Sequence, residues 1–266
     1  MTASQPQFLE VGDGSKRRRV AYLQQAAPTP GAAGLTWLIG LKSDMASTKA
    51  LALAEWTKVR GLGFTRFDYS GHGQSEGRFE DATIGDWLEE AEAVFRHVAH
   101  GPQILVGSST GAHIALVLLR RLIETDAVAA KRVLGLVLIA PAWDVTELIW
   151  RGLPEAARRD IMEKGVWMRP SPYDPGGYAI TRRFIEEGRN HLLAGAPFDP
   201  GRRIDILQGL LDTDVPPAHA RSLLHLLGGR WVRITEIPDG EHRLSRPRDL
   251  AYLYRLIADQ LPQTGH

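Results

Sequence analysis

Apolar residues follow two alternating rhythms along this chain. Short runs such as Leu35-Thr-Trp-Leu-Ile-Gly40, Phe64-Thr-Arg-Phe-Asp68, Ile104-Leu-Val106 and Ile204-Asp-Ile-Leu-Gln-Gly209 read as strands. The stretches between them carry apolar side chains at helical spacing. Residues 47–60 predict a helix that stops at Gly61-Leu-Gly63, and Thr83 caps a second one running through Trp87, Leu88, Ala91 and Val94 to Val98. A third, over 112–123, leads to Val133-Leu-Gly-Leu-Val-Leu-Ile-Ala140, so continuously apolar that it belongs in the middle of a parallel sheet covered on both faces. At the start, residues 8–11 and 19–23 predict an antiparallel strand pair around a Gly12-Asp-Gly14 turn. At the end come a helix over 217–227, a strand over 231–237 and a helix over 247–260.

Between residues 143 and 200 the rhythm fails. Pro154, Pro170, Pro172, Pro175-Gly-Gly177 and Pro197 divide this stretch into what reads as short helical pieces. The expected architecture is α/β, with a mostly parallel, doubly wound sheet built from residues 1–142 and 201–266. Residues 143–200 form an inserted helical lid above its carboxyl edge.

Composition narrows the function without naming it. At 266 residues and 44% hydrophobic content the chain can fill one large α/β core. Its 32 basic and 31 acidic residues nearly cancel, so no overall field draws it to nucleic acid or an anionic membrane. Arg17-Arg-Arg19 is the one basic run, and its place beside a strand pair predicts a solvated hairpin turn. Cysteine is absent, which removes disulfides, thiol nucleophiles and cysteine metal sites and leaves serine chemistry unrivalled. HExxH, HxxEH and paired-carboxylate spacings are also missing, so neither a metal nor a cofactor is expected. No charged stretch followed by an apolar one opens the sequence, and no apolar run reaches spanning length; a soluble, cytoplasmic protein is expected. Arginine exceeds lysine 26 to 6, which fits the coding bias of a high-GC bacterium.

One motif carries chemistry. Gln103-Ile-Leu-Val-Gly-Ser-Ser-Thr-Gly-Ala-His113 runs from a strand through Gly107-Ser108-Ser109-Thr110-Gly111 into a helix. A serine on so tight a turn sits in strained backbone, and its flanking glycines leave room for neighbouring chain that a Cβ would obstruct. Ser109 is thereby expected as a nucleophile at the carboxyl edge of the sheet. A serine hydroxyl is weak at neutral pH, so it needs a base within hydrogen-bond reach and a carboxylate to orient that base. His242, in Pro238-Asp-Gly-Glu-His242 after the last strand, reaches the same edge. Of the other histidines, His97, His100 and His225 read as surface residues and His266 as part of a frayed tail. His113 lies on the helix after Ser109, and His72 lies in a glycine turn where a structural hydrogen bond is its expected role. Leu207-Gln-Gly-Leu-Leu-Asp212-Thr-Asp-Val-Pro216 offers two carboxylates. Asp212 follows its strand more closely and is expected to orient His242, while Asp214 is expected to cap the next helix. The chain order Ser109, Asp212, His242 is that of α/β-hydrolases. Backbone N–H groups of Thr110 and of Leu41, the latter after the strand-ending Gly40, are expected to bind an oxyanion. Trp143, Trp150, Trp167 and Met168 are candidates for an apolar wall over Ser109, or for side chains that merely dock the lid.

Five segments together resemble the family of α/β-hydrolase domain-containing protein ten and its bacterial relatives, across nearly the whole chain. They are Gly40-Leu-Lys-Ser-Asp-Met45, Thr48-Lys-Ala-Leu-Ala52, Arg66-Phe-Asp-Tyr-Ser-Gly71, Gly107-Ser-Ser-Thr-Gly111 and Asp239-Gly-Glu-His-Arg-Leu-Ser245. The resemblance implies a serine hydrolase that deacylates S-palmitoyl cysteines and cleaves acyl glucuronides, with Ser109, Asp212 and His242 as its triad. Thr110 departs from the pattern, standing where much of the family has Met. The expected partner is a small or protein-linked acyl ester or thioester. Two other activities fit the same scaffold: hydrolysis of carbon-carbon bonds or carrier-bound methyl esters, and non-catalytic binding of a small ligand.

Overall fold

The chain opens with an antiparallel pair, β1 (Gln7–Val11) and β2 (Arg18–Gln25), in the computed structural model, which describes residues 5–171, 174–228 and 230–262. Alternation along β2 decides the fate of the basic run. Arg17 and Arg19 lie outside and pair with Glu10 at 2.9 and 3.7 Å, whereas Arg18 turns inward to Glu89 at 2.8 Å and to the buried Glu90. The run is therefore not simply a solvated turn: its middle member anchors the edge of the sheet.

The remaining strands are β3 (Gly34–Leu38), β4 (Gly63–Phe67), β5 (Gln103–Ser108), β6 (Val133–Ile139), β9 (Ile204–Gly209) and β10 (Val232–Ile237). With the first pair they form one eight-stranded sheet in the order β1-β2-β4-β3-β5-β6-β9-β10. β2 is antiparallel to β4, and from β4 onward every neighbour is parallel. β3, β5 and β9 are buried at every residue; β3 and β5 accordingly lack a polar alternation, while β9 buries Asp205 and Gln208 along with its apolar side chains.

Helices α1 (Thr48–Val59) and α2 (Ile84–His97) follow β3 and β4. The crossover from β3 to β4 runs in one direction along the sheet and that from β4 to β5 runs back, so a constant right-handed crossover puts these helices on opposite faces. α9 (Pro247–Ala258) packs beside α1, with Trp56 and Tyr254 stacked at 5.4 Å between ring centres. α3 (Thr110–Thr125) packs beside α2, which Thr83 and Asp86 cap reciprocally. Short α4 (Ala127–Lys131) precedes β6, and α8 (Pro217–Leu226) joins β9 to β10. The winding reverses between β3 and β5, and the crevice beyond their carboxyl ends is where open α/β sheets bind ligands.

Between β6 and β9 lie α5 (Val145–Gly152), α6 (Glu155–Lys164), β7 (Val166–Ser171), β8 (Asp174–Thr181) and α7 (Arg182–Gly188). The expectation of helical pieces alone is corrected here, because β7 and β8 pair as an antiparallel hairpin. Both strands of a two-stranded ribbon are edges, so Pro170 and Pro175 sit in them without breaking a sheet interior. Beneath the prolines a strand alternation is present: Val166 and Met168 are exposed while Trp167 and Arg169 are half-buried. Pro172 lies outside the described residues. The segment touches the core at the start of α2, where Gly85 N–H donates to Glu187 at 3.1 Å, and at α8, where Trp143 stacks on His219. No helix among the described residues is long and apolar enough to cross a membrane.

Candidate active site

Ser109 sits between β5 and α3 with φ 54° and ψ −115°. A side chain in that region costs about 1–3 kcal/mol and persists only where its surroundings hold it. Here they do. Its N–H donates to Ile139 C=O at 2.8 Å, and its C=O accepts from Ala112 and Ala142 at 3.0 and 3.2 Å. A Cβ on Gly107 would lie 2.5 Å from Gly111 O, and one on Gly111 would lie 2.1 Å from Leu38 O. Both glycines thus mark places where strand and helix backbones touch, and no other residue fits there.

The loops after β9 and β10 bring two more groups to this point. They are joined backbone to backbone, Leu210 N–H to Ile237 C=O at 2.9 Å and Leu211 N–H to Gly240 C=O at 2.8 Å. Asp212, its side chain fully buried, places Oδ2 2.8 Å from Nδ1 of His242. The N–H groups of Asp214 and Val215 donate to Oδ1 at 2.9 and 2.8 Å, and Gln208 Nε2 donates to Oδ2 at 3.3 Å. Nε2 of His242 lies 3.1 Å from Ser109 Oγ. With Nδ1–H donated to the carboxylate, Nε2 carries the lone pair and can accept the serine proton. Ser109 and His242 are both partly exposed, so a substrate can reach them.

Asp214 departs from its expected role. The N-cap of α8 is Pro216, which has no side-chain oxygen to accept from the first turn, and no side chain caps the helix. The Asp214 carboxylate instead lies 3.7 Å from the guanidinium of Arg169 on β7. Among the described residues Asp212, Asp214 and His242 are the group able to hold a metal ion, with ligand atoms within 4.8 Å of one another. The lone pairs of Asp212, however, are already engaged by His242, Gln208 and two backbone N–H groups. The His242 loop has a further tether that sequence reading missed. The Lys49 ammonium on α1 donates to Arg243 C=O and lies 3.4 Å from Ser245 Oγ, and burial draws its pKa down to about 8. A lysine in the first turn of a helix gives no signal of that role.

The two expected oxyanion donors flank Ser109. Thr110 opens α3, where first-turn N–H groups have no intrahelical acceptor. On the other side a Cβ on Gly40 would meet Ser108 O at 3.2 Å and Ser109 Cβ at 3.4 Å, so the loop after β3 lies directly against the serine. Among the described residues no acceptor of the protein engages the Leu41 N–H.

The turn over 68–75 holds that loop. Asp68 accepts from Met45 N–H at 2.6 Å and Gln74 N–H at 2.8 Å, and burial, opposed by these donors, raises its pKa. His72 Nε2 accepts from Lys42 N–H at 3.1 Å while its Nδ1–H donates to Ser70 C=O at 3.2 Å. Burial pushes the His72 pKa down to about 4, so the ring is neutral near pH 7. His113 is likewise buried, accepts from Asp144 N–H at 3.2 Å and is pushed down to about 3. His97, His100 and His225 are exposed, and His266 lies outside the described residues.

The candidate wall residues have distinct environments. Trp143 Nε1–H donates to His219 C=O at 2.8 Å, and its ring stacks on that imidazole at 4.8 Å, which docks the segment on α8. Trp150 lines an outer concavity with Glu155, Arg158, Arg159 and Met162. Trp167 packs half-buried against the core, and Met168 is 52% exposed. A residue not anticipated is Asp144, with φ 48°, whose buried carboxylate accepts from Leu193 and Ala194 N–H at 2.6 and 3.0 Å. It thereby joins the start of the segment to its end. A single aspartate at the start of a proline-divided stretch gives no signal of that contact.

A family model described as serine aminopeptidase, S33, matches residues 43–174. The mitochondrial palmitoyl-protein thioesterase ABHD10 of Mus musculus is 32% identical over 246 residues, covering 92% of this chain and 80% of that protein. Among solved structures, a protein of Agrobacterium vitis S4 with a provisional hydrolase designation superposes with a TM-score of 0.92 at 40% identity, covering 97% of this chain and 99% of that one. Mouse alpha/beta hydrolase domain-containing protein 10 superposes with a TM-score of 0.82 at 31% identity, covering 96% and 98%.

Proposed function

We propose, from the premise that this chain belongs to the α/β-hydrolase family of those relatives, that it is a serine hydrolase acting on carboxylic esters or acyl thioesters. The observation that carries this reading is the unbroken hydrogen-bonded series from Asp212 through His242 to Ser109, with separations of 2.8 and 3.1 Å. His242 Nε2 takes the Ser109 proton as Oγ attacks the acyl carbon, and buried Asp212 stabilises the imidazolium that forms. The N–H groups of Leu41 and Thr110 receive the developing oxyanion, each worth about a hundred- to a thousand-fold in rate. As the tetrahedral intermediate collapses, the imidazolium gives its proton to the departing oxygen or sulfur, so the alcohol or thiol leaves and an acyl-enzyme remains on Ser109. Water, deprotonated by the same imidazole, then releases the acid.

A thiolate or alkoxide leaves with less protonation than an amide nitrogen demands, which favours esters and thioesters over peptides. Palmitoyl-protein thioesterase is the name of the mouse relative, and it supports a medium or long acyl chain as substrate. Residues 143–200 act as a lid in this reading, with Trp167 and Met168 of the β7–β8 hairpin as candidate acyl-chain contacts. Trp143 serves to dock it.

Fluorophosphonate labelling tests the proposal. Wild type is expected to be labelled and Ser109→Ala not at all, with turnover of p-nitrophenyl esters reduced on the order of a million-fold. A native wild-type protein that resists the probe and hydrolyses neither esters nor acyl thioesters of any chain length would sink it.

A further inference from the structure

We propose that His72 is a positioning residue for the oxyanion hole, acting through the backbone of Lys42. The inference rests on the serine-hydrolase reading above and adds to it a residue that touches neither substrate nor triad.

Residues 40–43 form a closed turn, with Ser43 N–H donating to Gly40 C=O at 3.1 Å. Its third residue, Lys42, has φ 57°. A left-handed third residue marks a type II turn, where glycine is usual, and a lysine there carries a penalty of roughly 1–2 kcal/mol. The type I alternative relieves that penalty by flipping one peptide, the one between Leu41 and Lys42, with a change of about 150° in ψ of Leu41. The N–H of that peptide is the group that His72 accepts at 3.1 Å. Only Nε2 can serve, because Nδ1 spends its proton on Ser70 C=O.

The imidazole is itself held rigidly. It is 5% exposed and packed edge-on against Tyr69, Phe79 and Trp87, with ring centres 6.1, 5.3 and 5.2 Å away. A fixed acceptor thus faces the one peptide whose flip would relax the turn. Leu41 lies between that peptide and the one carrying its own N–H, so an acceptor that fixes the first also limits how far the second can swing beside Ser109. Asp68 and Arg66, which bind Met45 N–H and C=O at 2.6 and 2.7 Å, hold the far end of the loop but leave this peptide free to turn.

Three variants test it. His72→Phe fills the aromatic box without an acceptor, His72→Gln offers an amide oxygen near the place of Nε2, and His72→Phe with Lys42→Gly removes the left-handed penalty. For p-nitrophenyl butyrate, His72→Phe is expected to lower kcat about 10- to 100-fold, a fraction of what losing a donor outright would cost, with KM within about threefold. Binding of phenylboronic acid, whose serine adduct places an oxygen in the hole, should weaken by a similar factor. His72→Gln and the double variant should each recover most of the loss. Normal kcat in His72→Phe, or equal loss in all three variants in step with a lower melting temperature, overturns the proposal in favour of simple packing. Crystal structures give a readout independent of turnover: φ of Lys42 should become negative in His72→Phe, and an unchanged positive φ overturns the lock. A wild type that fluorophosphonate fails to label removes the hydrolase reading and leaves this backbone comparison to decide what His72 does.

Discussion

The sheet edge that carries Ser109 and the segment between β6 and β9 are held together by different means. At the edge, backbone touches backbone: Gly107, Gly111 and Gly209 each lie where a Cβ would fall within 2.5 Å of a main-chain oxygen. The segment between β6 and β9 is closed on itself by Asp144 to Leu193 and Ala194 and joined to the core by side chains, among them Trp143 to His219, Glu187 to Gly85 and Arg169 to Asp214. Backbone contacts cannot be lost one at a time, whereas side-chain contacts can. The first region is suited to holding strain in fixed geometry, and the second to opening locally while the core stays folded.

Substitutions should sort by region. Asp212→Asn is expected to have the largest effect, a loss on the order of ten-thousand-fold in kcat with the fold intact, by analogy with a triad carboxylate that sets the histidine tautomer. Near-normal turnover would move that role to Asp214. Gly111→Ala should come next and act on folding itself. With Leu38 O only 2.1 Å from the new Cβ, β3 and α3 must separate, and a melting temperature within a few degrees of wild type would refute the close approach. Acid provides a graded version of the same test. His72 and His113 have folded pKa values of about 4 and about 3, below the ordinary 6.5, so the unfolded chain binds more protons between these limits. Stability present above pH 6.5 should fall as the pH drops through 4 toward 3. His113→Gln should flatten the lower part of that curve, and identical slopes would show that His113 is not responsible.

In the segment, effects should be smaller and local. Asp144→Ala leaves two N–H groups without their carboxylate, at about 1–3 kcal/mol. Hydrogen exchange and proteolysis should increase over 143–200 while the core amides keep their protection; uniform loss of protection would erase the distinction between the two regions. Arg169→Ala should do least. Its half-exposed pair with Asp214 at 3.7 Å is worth under about 1 kcal/mol, and its guanidinium lies at the outer reach of the Tyr178 ring, 5.8 Å from the centre, so a drop in melting temperature larger than that of Asp144→Ala would overturn this ranking.

Local chemistry made much of this protein readable before any tertiary structure. A continuous apolar run marked β6 and shorter ones marked β3 and β5, because a strand buried on both faces needs no polar side, while β9 was legible from Ile204, Ile206 and Leu207 despite Asp205 and Gln208. Glycines flanking Ser109 identified its turn, because only glycine tolerates backbone at that distance. What sequence could not reveal depends on partners far along the chain. The hairpin over 166–181 was hidden by prolines that only an open-edged ribbon accommodates. Lys49 reaches Arg243, Asp144 reaches Leu193 and His72 reaches Lys42 across separations that leave no periodicity and no spacing to read. The same is true of the distances among Ser109, Asp212 and His242. Residue types and order suggested the set, but the parallel stacking of β5, β6, β9 and β10 brings its members within a hydrogen bond of one another, since it puts all their carboxyl ends along one edge.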